Sequence, residues 1–267
     1  MADLVDIPVT HNGVTMHAVA VGAGPPVLLV HGFAQSHLTW RANFDALAAH
    51  YRVLAVDLPG FGASTKVALD GLEAFGDTLL RLLDREHLDS AHVVGHSYGG
   101  LVALGLALHR PARVRSLTVL GPAGLGPTVT DFREQIALAC TPAEIKAAIR
   151  RAFRDPDRFN AAIDGFVQGQ LAYRAQPGVM ELLAELSRCS DAWMANVEAR
   201  VEELKMPMLV LWGAEDGATP ASQAERVRGL PNAEVHLFPG AGHAAQVEAA
   251  EAFNAKLLSF LDAQSGN

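Results

Sequence analysis

The sequence predicts an α/β fold: a mostly parallel sheet with an N-terminal antiparallel hairpin, helices on both faces and an inserted helical cap. Three observations carry this. Short, wholly apolar runs alternate with helical stretches, the pattern of strands buried on both faces of a sheet. Asn12-Gly13 lies ahead of a segment alternating at period two, which reads as a hairpin turn. About 85 residues separate two of the apolar runs, far more than one crossover helix needs.

In the first segment Val14, Met16, Ala18 and Ala20 alternate with Thr15, His17, Val19 and Val21. The apolar runs that follow are PVLLV (26–30), RVLAVDL (52–58), AHVVG (91–95), VRSLTVLG (114–121), PMLVLWG (207–213) and AEVHLF (233–238). Between the fourth and fifth, Thr141-Pro142-Ala143-Glu144 places Thr at an N-cap, Pro at N1 and Glu at N3, a capping box. Ile145, Ala148, Ile149, Ala152 and Phe153 then form one apolar stripe. Asp155-Pro156 ends that helix and starts another running toward Pro177. The expected organisation is a core of residues 1–124 and 201–267 with a helical cap of 125–200 over the C-terminal edge of the sheet.

Of the 267 residues 50% are hydrophobic, enough for a sizeable core. Lys and Arg number 21 against 29 Asp and Glu, a formal charge of −8, which disfavours nucleic acid and anionic membranes as partners. Arg150, Arg151 and Arg154 read as a solvated helix face. Met1 to Val9 carries two aspartates and no basic n-region, and no apolar run is long enough to span a bilayer. Cys140 and Cys189 lack metal-ligand spacing and are expected as small buried hydrophobes. These features point to a cytoplasmic enzyme with a small-molecule substrate and no cofactor or metal; they set no oligomeric state.

The stretch VVGHSYGG (93–100) places Ser97 where an apolar strand stops and a helix starts, in the pattern Gly95-x-Ser97-x-Gly99. A nucleophile on so sharp a turn needs small neighbours, which Gly95, Gly99 and Gly100 supply. The spacing is not that of a dinucleotide-binding G-x-G-x-x-G loop. A serine hydroxyl needs a base, and the base a carboxylate. His243, in the loop Pro239-Gly-Ala-Gly-His243, is the candidate base; His236 falls inside a strand, and His96 is expected to point away from the serine. Asp216, just beyond its strand, is preferred over Glu215 as the orienting acid. Ser97, Asp216 and His243 each follow the C-terminal end of a strand, where open α/β sheets bind ligands. Two backbone N–H groups, at Tyr98 and at Phe33 in VLLVHGFAQS, are placed to receive an oxyanion.

HGF at 31–33, DLPGFGAS at 57–64, GHSYGG at 95–100, WGAEDGATP at 212–220 and GAGHAAQVEAAEAFN at 240–254 resemble, in order, the motifs of the α/β-hydrolase fold family. The resemblance implies Ser97 as nucleophile, His243 as base, Asp216 as its orienter, and Phe33 and Tyr98 as oxyanion donors. GPAGLGP at 121–127 and GHAAQVEAAEAFN at 242–254 look most like the hydrolase-like domain of acetoin dehydrogenase acetyltransferase subunits. Those proteins carry an N-terminal lipoyl domain; here the hairpin begins near Leu4, so no role in a dehydrogenase complex is expected. Ser97 excludes the epoxide hydrolase and haloalkane dehalogenase branches, which use an aspartate nucleophile. Meta-cleavage C–C hydrolases are similar in cap length and in GPAGLGP, but typically have Asn before the nucleophile and Trp after the histidine. Here those residues are His96 and Ala244.

The expected activity is therefore hydrolysis of ester or related acyl bonds of small, largely apolar substrates through an acyl-enzyme. The alternative is an acyltransferase or C–C bond hydrolase using the same triad; a non-catalytic scaffold would not need an intact one. Leu125, Phe132, Phe166, Met180 and Trp193 are the expected substrate-pocket residues of the cap.

Overall fold

The structure is a computed structural model describing residues 3–126 and 130–265. Its strands are β1 (Val5–Asp6), β2 (Val9–His11), β3 (Val14–Met16), β4 (Ala18–Val21), β5 (Pro26–Val30), β6 (Arg52–Val56), β7 (Ala91–His96), β8 (Val114–Leu120), β9 (Met208–Gly213) and β10 (Ala233–Phe238). All six apolar runs become strands, β5 to β10. The main sheet has eight strands in the order β1-β4-β6-β5-β7-β8-β9-β10. From β6 to β10 neighbours run parallel, while β1, β4 and β6 pair antiparallel.

Asn12 and Gly13 both have positive φ (49° and 78°), as a type I′ turn requires, and join β2 to β3 with Val9 opposite Met16. That hairpin is a separate two-stranded sheet. The alternating segment 14–21 does not form one strand, because His17 leaves the ladder. Its N–H donates to Ser64 Oγ (2.8 Å) and its imidazole turns to Asp57, so β4 starts afresh in the main sheet.

The helices are α1 (Phe44–Ala48), α2 (Gly71–Arg85), α3 (Tyr98–His109), α4 (Thr130–Leu138), α5 (Pro142–Arg150), α6 (Asn160–Arg174), α7 (Val179–Arg200), α8 (Glu225–Arg228), α9 (Ala245–Glu248) and α10 (Ala250–Ser265). Alternate strand residues feed two cores. Leu28, Val30, Leu54, Val56, Val93 and Val210 pack with α2, α3 and α7 on one face. Val27, Leu29, Val53, Ala55, Val94 and Leu209 pack with α1 and α10 on the other. Helix α3 is buried all round from Tyr98 to Ala107, and such helices are apolar on every face.

Helices α4 to α7 lie between β8 and β9 and form the cap. The capping box closes as read: Glu144 N–H donates to Thr141 Oγ1 (3.3 Å) and Thr141 N–H to Glu144 Oε2 (3.0 Å). The cap builds a small core of its own from Ala139, Ile145, Phe153, Ile163 and Val167, with Ala244 of the main body in it. It is tied to the body by Tyr173 Oη, which donates to the Gly60 carbonyl (2.7 Å), and by Gln170 Nε2, which donates to the Ala34 carbonyl. Pro127, at the end of GPAGLGP, lies outside the described residues. Among those described, no helix is long and apolar enough to cross a membrane.

The cysteines correct the sequence reading: both are free thiols at the surface. Cys140 stands in the connection just ahead of the capping box, with its N–H on Glu144 Oε2, and Cys189 lies on the outward face of α7.

Thr141→Ala removes one half of the capping box and leaves Glu144 with one fewer role. It is expected to cost about 1 kcal/mol, read as a lower midpoint in chemical denaturation with an unchanged m-value.

Candidate active site

Ser97 joins β7 to α3 with φ 54° and ψ −117°, a conformation that costs free energy for any residue with a Cβ. Its backbone is pinned to the neighbouring strand. Ser97 N–H donates to the Leu120 carbonyl (3.0 Å), and the Ser97 carbonyl accepts from Leu101 and Ala123 N–H (3.1 Å each). The flanking glycines permit this. A Cβ on Gly95 would strike the Gly99 carbonyl, and one on Gly99 the carbonyls of Val30 and His31. The N-terminus of α3 thus points its positive end at the serine.

Asp216 lies beyond β9 in a turn that saturates its carboxylate. Oδ1 accepts from the N–H groups of Ala218 (2.8 Å) and Thr219 (2.9 Å). Oδ2 lies 3.0 Å from Thr219 Oγ1 and 2.8 Å from His243 Nδ1. Burial works to raise the Asp216 carboxyl, but His243 beside it and the two N–H donors outweigh this and hold it below its ordinary value. An ionised Asp216 accepting from Nδ1–H leaves Nε2 of His243 free to take a proton. Glu215 turns the other way and accepts from Gly240 N–H (2.9 Å).

His96 departs from the expectation that it would point away from the site. It lines the same cavity as Ser97 and His243, and its Nε2–H donates to the His243 carbonyl (2.9 Å), with ring centroids 4.8 Å apart. Burial, with His243 adding in the same direction, pushes His96 down to about 3, so it braces the histidine loop as a neutral imidazole. On the far side of the serine, His31 Nδ1–H donates to the Gly32 carbonyl (2.7 Å) and Nε2 accepts from Leu58 N–H (3.0 Å). That fixes the loop carrying Phe33. The Phe33 and Tyr98 rings meet edge-on at 5.7 Å and both line the cavity.

The cavity holds about 990 Å³ and its floor includes Ser97 and His243. Phe132 and Phe166 line it as expected from the sequence. Leu125, Met180 and Trp193 do not. They pack into the core under the cap, with Leu125 buried and Trp193 edge-on to Phe75 at 6.0 Å. The apolar stripe of Ile145, Ala148, Ile149, Ala152 and Phe153 also lines the cavity, with Ile145 and Phe153 shared with the cap's core. Helical periodicity reports an apolar face without saying whether protein or ligand covers it.

Several contributors went unread. Thr219 completes the Asp216 cage. Gly121 has φ 47°, and a Cβ there would lie 2.9 Å from Asp216 Oδ2 and 3.1 Å from His243 Nδ1, so the acid–histidine pair needs it. Arg133 enters the cavity from α4: Nη2 pairs with Asp191 (2.8 Å), Nε with Ser187 Oγ (3.1 Å), and the buried Nη1 has no protein partner. A DGAT stretch, with Thr three residues after Asp, is the one signal that marked Thr219 in advance.

The one cluster among the described residues with metal-ligating types close together is His17, His37 and Asp57. Its carboxylate is already saturated. Oδ1 accepts from His37 N–H (2.7 Å) and Nδ1 (2.8 Å), and Oδ2 from Ala63 N–H (2.8 Å) and His17 Nδ1 (3.1 Å). This reads as a structural knot that ties the loop after β5 to the loop after β6.

The fold, the strained serine turn and the buried acid–histidine pair define a serine-hydrolase-like α/β-hydrolase enzyme. The chain belongs to the alpha/beta hydrolase fold family, whose model matches residues 25–250. It is 37% identical over 241 residues to the dihydrolipoyllysine-residue acetyltransferase component of the acetoin cleaving system of Pseudomonas putida, covering 89% of this chain and 64% of that protein. The chain thus spans less than two thirds of that relative's length. It is 34% identical over 269 residues to a 2-hydroxy-6-oxononadienedioate/2-hydroxy-6-oxononatrienedioate hydrolase of Paraburkholderia phymatum, covering 92% of this chain and 90% of that one. A solved meta-cleavage product hydrolase superposes with a TM-score of 0.86 at 26% identity, over 96% of this chain and 97% of its own.

Burial opposes ionisation of Asp57, but the His37 side chain, nearby His31 and the Ala63 N–H hold its carboxyl far below the ordinary range. A depressed folded value means the stabilisation is complete above the unfolded carboxylate pKa of about 4 and is lost as pH falls toward the folded value. Asp57→Asn is therefore expected to cost about 3 kcal/mol at pH 7, with the deficit shrinking below about pH 4 in denaturation series at several pH values.

Proposed function

We propose that this protein is a serine-nucleophile hydrolase that cleaves the carbon–carbon bond beside a ketone in a small, largely apolar keto acid. Ser97 attacks the ketone carbonyl while His243 Nε2 accepts its proton and Asp216 holds the imidazole through Nδ1. The oxyanion is received by the N–H groups of Phe33 and Tyr98. Collapse of the adduct breaks the C–C bond. The departing carbon keeps the electron pair, delocalised as an enolate if a second carbonyl is conjugated with it, and takes the proton from His243. Water, deprotonated by His243, then attacks the acyl-Ser97 ester and releases the acid.

The observation that carries this reading is Arg133. The cavity walls are mostly apolar, yet Arg133 brings a guanidinium nitrogen that is buried and unpaired by protein. Leaving such a donor unpaired is costly, and a substrate carboxylate would relieve it. The 2-hydroxy-6-oxononadienedioate and 2-hydroxy-6-oxononatrienedioate named for the Paraburkholderia phymatum relative carry a carboxylate at each end and a ketone between them. Ester hydrolysis by the same residues is the second reading. His96 and Ala244 favour it, because they stand where the resembling C–C hydrolases typically have Asn and Trp. The chemistry differs only in the leaving group, an alkoxide in place of an enolate.

Parallel assays with a 2-hydroxy-6-oxo dienoate and p-nitrophenyl butyrate separate the two. The C–C reading expects kcat/KM at least about tenfold higher for the dienoate, a difference in ΔG‡ of about 1.4 kcal/mol. Turnover of the ester alone gives the activity to the second reading. Ser97→Ala is expected to stay folded and to lose about 10⁴-fold or more in kcat on either substrate. Arg133→Met should raise KM for the dienoate about 10-fold or more while changing ester kinetics far less.

A further inference from the structure

The cap and the histidine loop are held by one and the same side chain. Glu248, at the end of α9, points its two carboxylate oxygens at different segments. Oε1 accepts from the N–H of Gly242, the residue before His243, at 2.8 Å. Oε2 accepts from the N–H of Arg154 at 2.7 Å and, at 3.5 Å, from that of Asp155, in the connection between α5 and α6. Beside it the two backbones touch directly. Ala244 N–H donates to the Ala152 carbonyl (3.2 Å), and a Cβ on Gly242 would fall 2.8 Å from both Ala152 O and Arg154 N. A carboxylate suits this place because it accepts at both ends. An amide accepts at one end only and would face the other donor with its own N–H groups.

We infer that Glu248 is a positioning residue for the proposed reaction: it clasps the His243 loop to the cap, so the imidazole is held in place while the cap is seated. This rests on the roles proposed for Ser97 and His243. The cap also touches the imidazole itself. Phe132 of α4 packs edge-on against the His243 ring at 5.9 Å, and Arg151 covers Phe132 at 5.5 Å. A cap that lifts therefore releases the histidine both at its backbone and at its ring. A misplacement of about 1 Å in such a group costs on the order of a hundredfold in rate.

The test compares wild type, Glu248→Gln and Glu248→Ala as full chains, by steady-state hydrolysis of p-nitrophenyl butyrate and by hydrogen–deuterium exchange. The clasp expects kcat to fall about tenfold in Glu248→Gln, which keeps one bond, and about a hundredfold in Glu248→Ala, with KM within about twofold. It also expects exchange to rise together at 151–155 and 240–244, with β5 to β7 unchanged. Wild-type kcat in both variants, or faster exchange in the histidine loop alone, overturns it. A wild type that does not turn over the ester, with exchange still rising in both segments of the variants, supports the clasp and counts against ester hydrolysis at Ser97.

Discussion

The site depends on one backbone conformation, the positive φ of Ser97. Unaided, that geometry is unfavourable for a residue with a Cβ. It persists because the surrounding chain leaves no alternative: β8 takes both polar backbone groups of the serine, directly or through Ala123, and three glycines let α3 approach β5 and β7 at backbone contact. Everything else in the site is referred to this fixed point. The loop after β5 carries Phe33 and the loop after β10 carries His243 to the cavity that Ser97 lines, with Asp216 of the loop after β9 bonded to His243.

Those loops reach it through a buried polar network. Asp216 accepts from four donors, His96 braces the His243 carbonyl, and His31 and Asp57 fix the two loops beside the serine. Buried polar groups stabilise a unique arrangement only when every member is paired, and these are. Arg133, which lines the cavity, by contrast keeps one buried guanidinium nitrogen without a protein partner. The cap is bonded to the body beside these loops by Glu248, Gln170 and Tyr173.

The sequence was most legible where local chemistry is decisive. Six apolar runs became β5 to β10, Asn12-Gly13 made its turn, and Thr141 to Glu144 closed a capping box. Asp216 and His243 each follow a strand end, and the fold delivers them to 2.8 Å from one another. The misreadings share a cause. Leu125, Met180 and Trp193 were assigned to the pocket, and Cys140 and Cys189 to the interior, from residue type alone. Which face a helix turns inward is set by tertiary packing. Gly121, Arg133 and Glu248 carried no local signal, since their roles exist only where distant segments meet. The choice between C–C and ester cleavage turned on the same problem. His96 and Ala244 argue for esters and the buried Arg133 for a keto acid, and neither position alone decides.

The central claim is that Ser97 is a nucleophile activated by His243. Reaction of the folded protein with a fluorophosphonate, followed by peptide mass spectrometry, tests it without assuming a substrate. The account expects a stoichiometric adduct on Ser97 that falls by about a thousandfold in rate in His243→Ala. An adduct on another residue, or an undiminished rate in that variant, would contradict it.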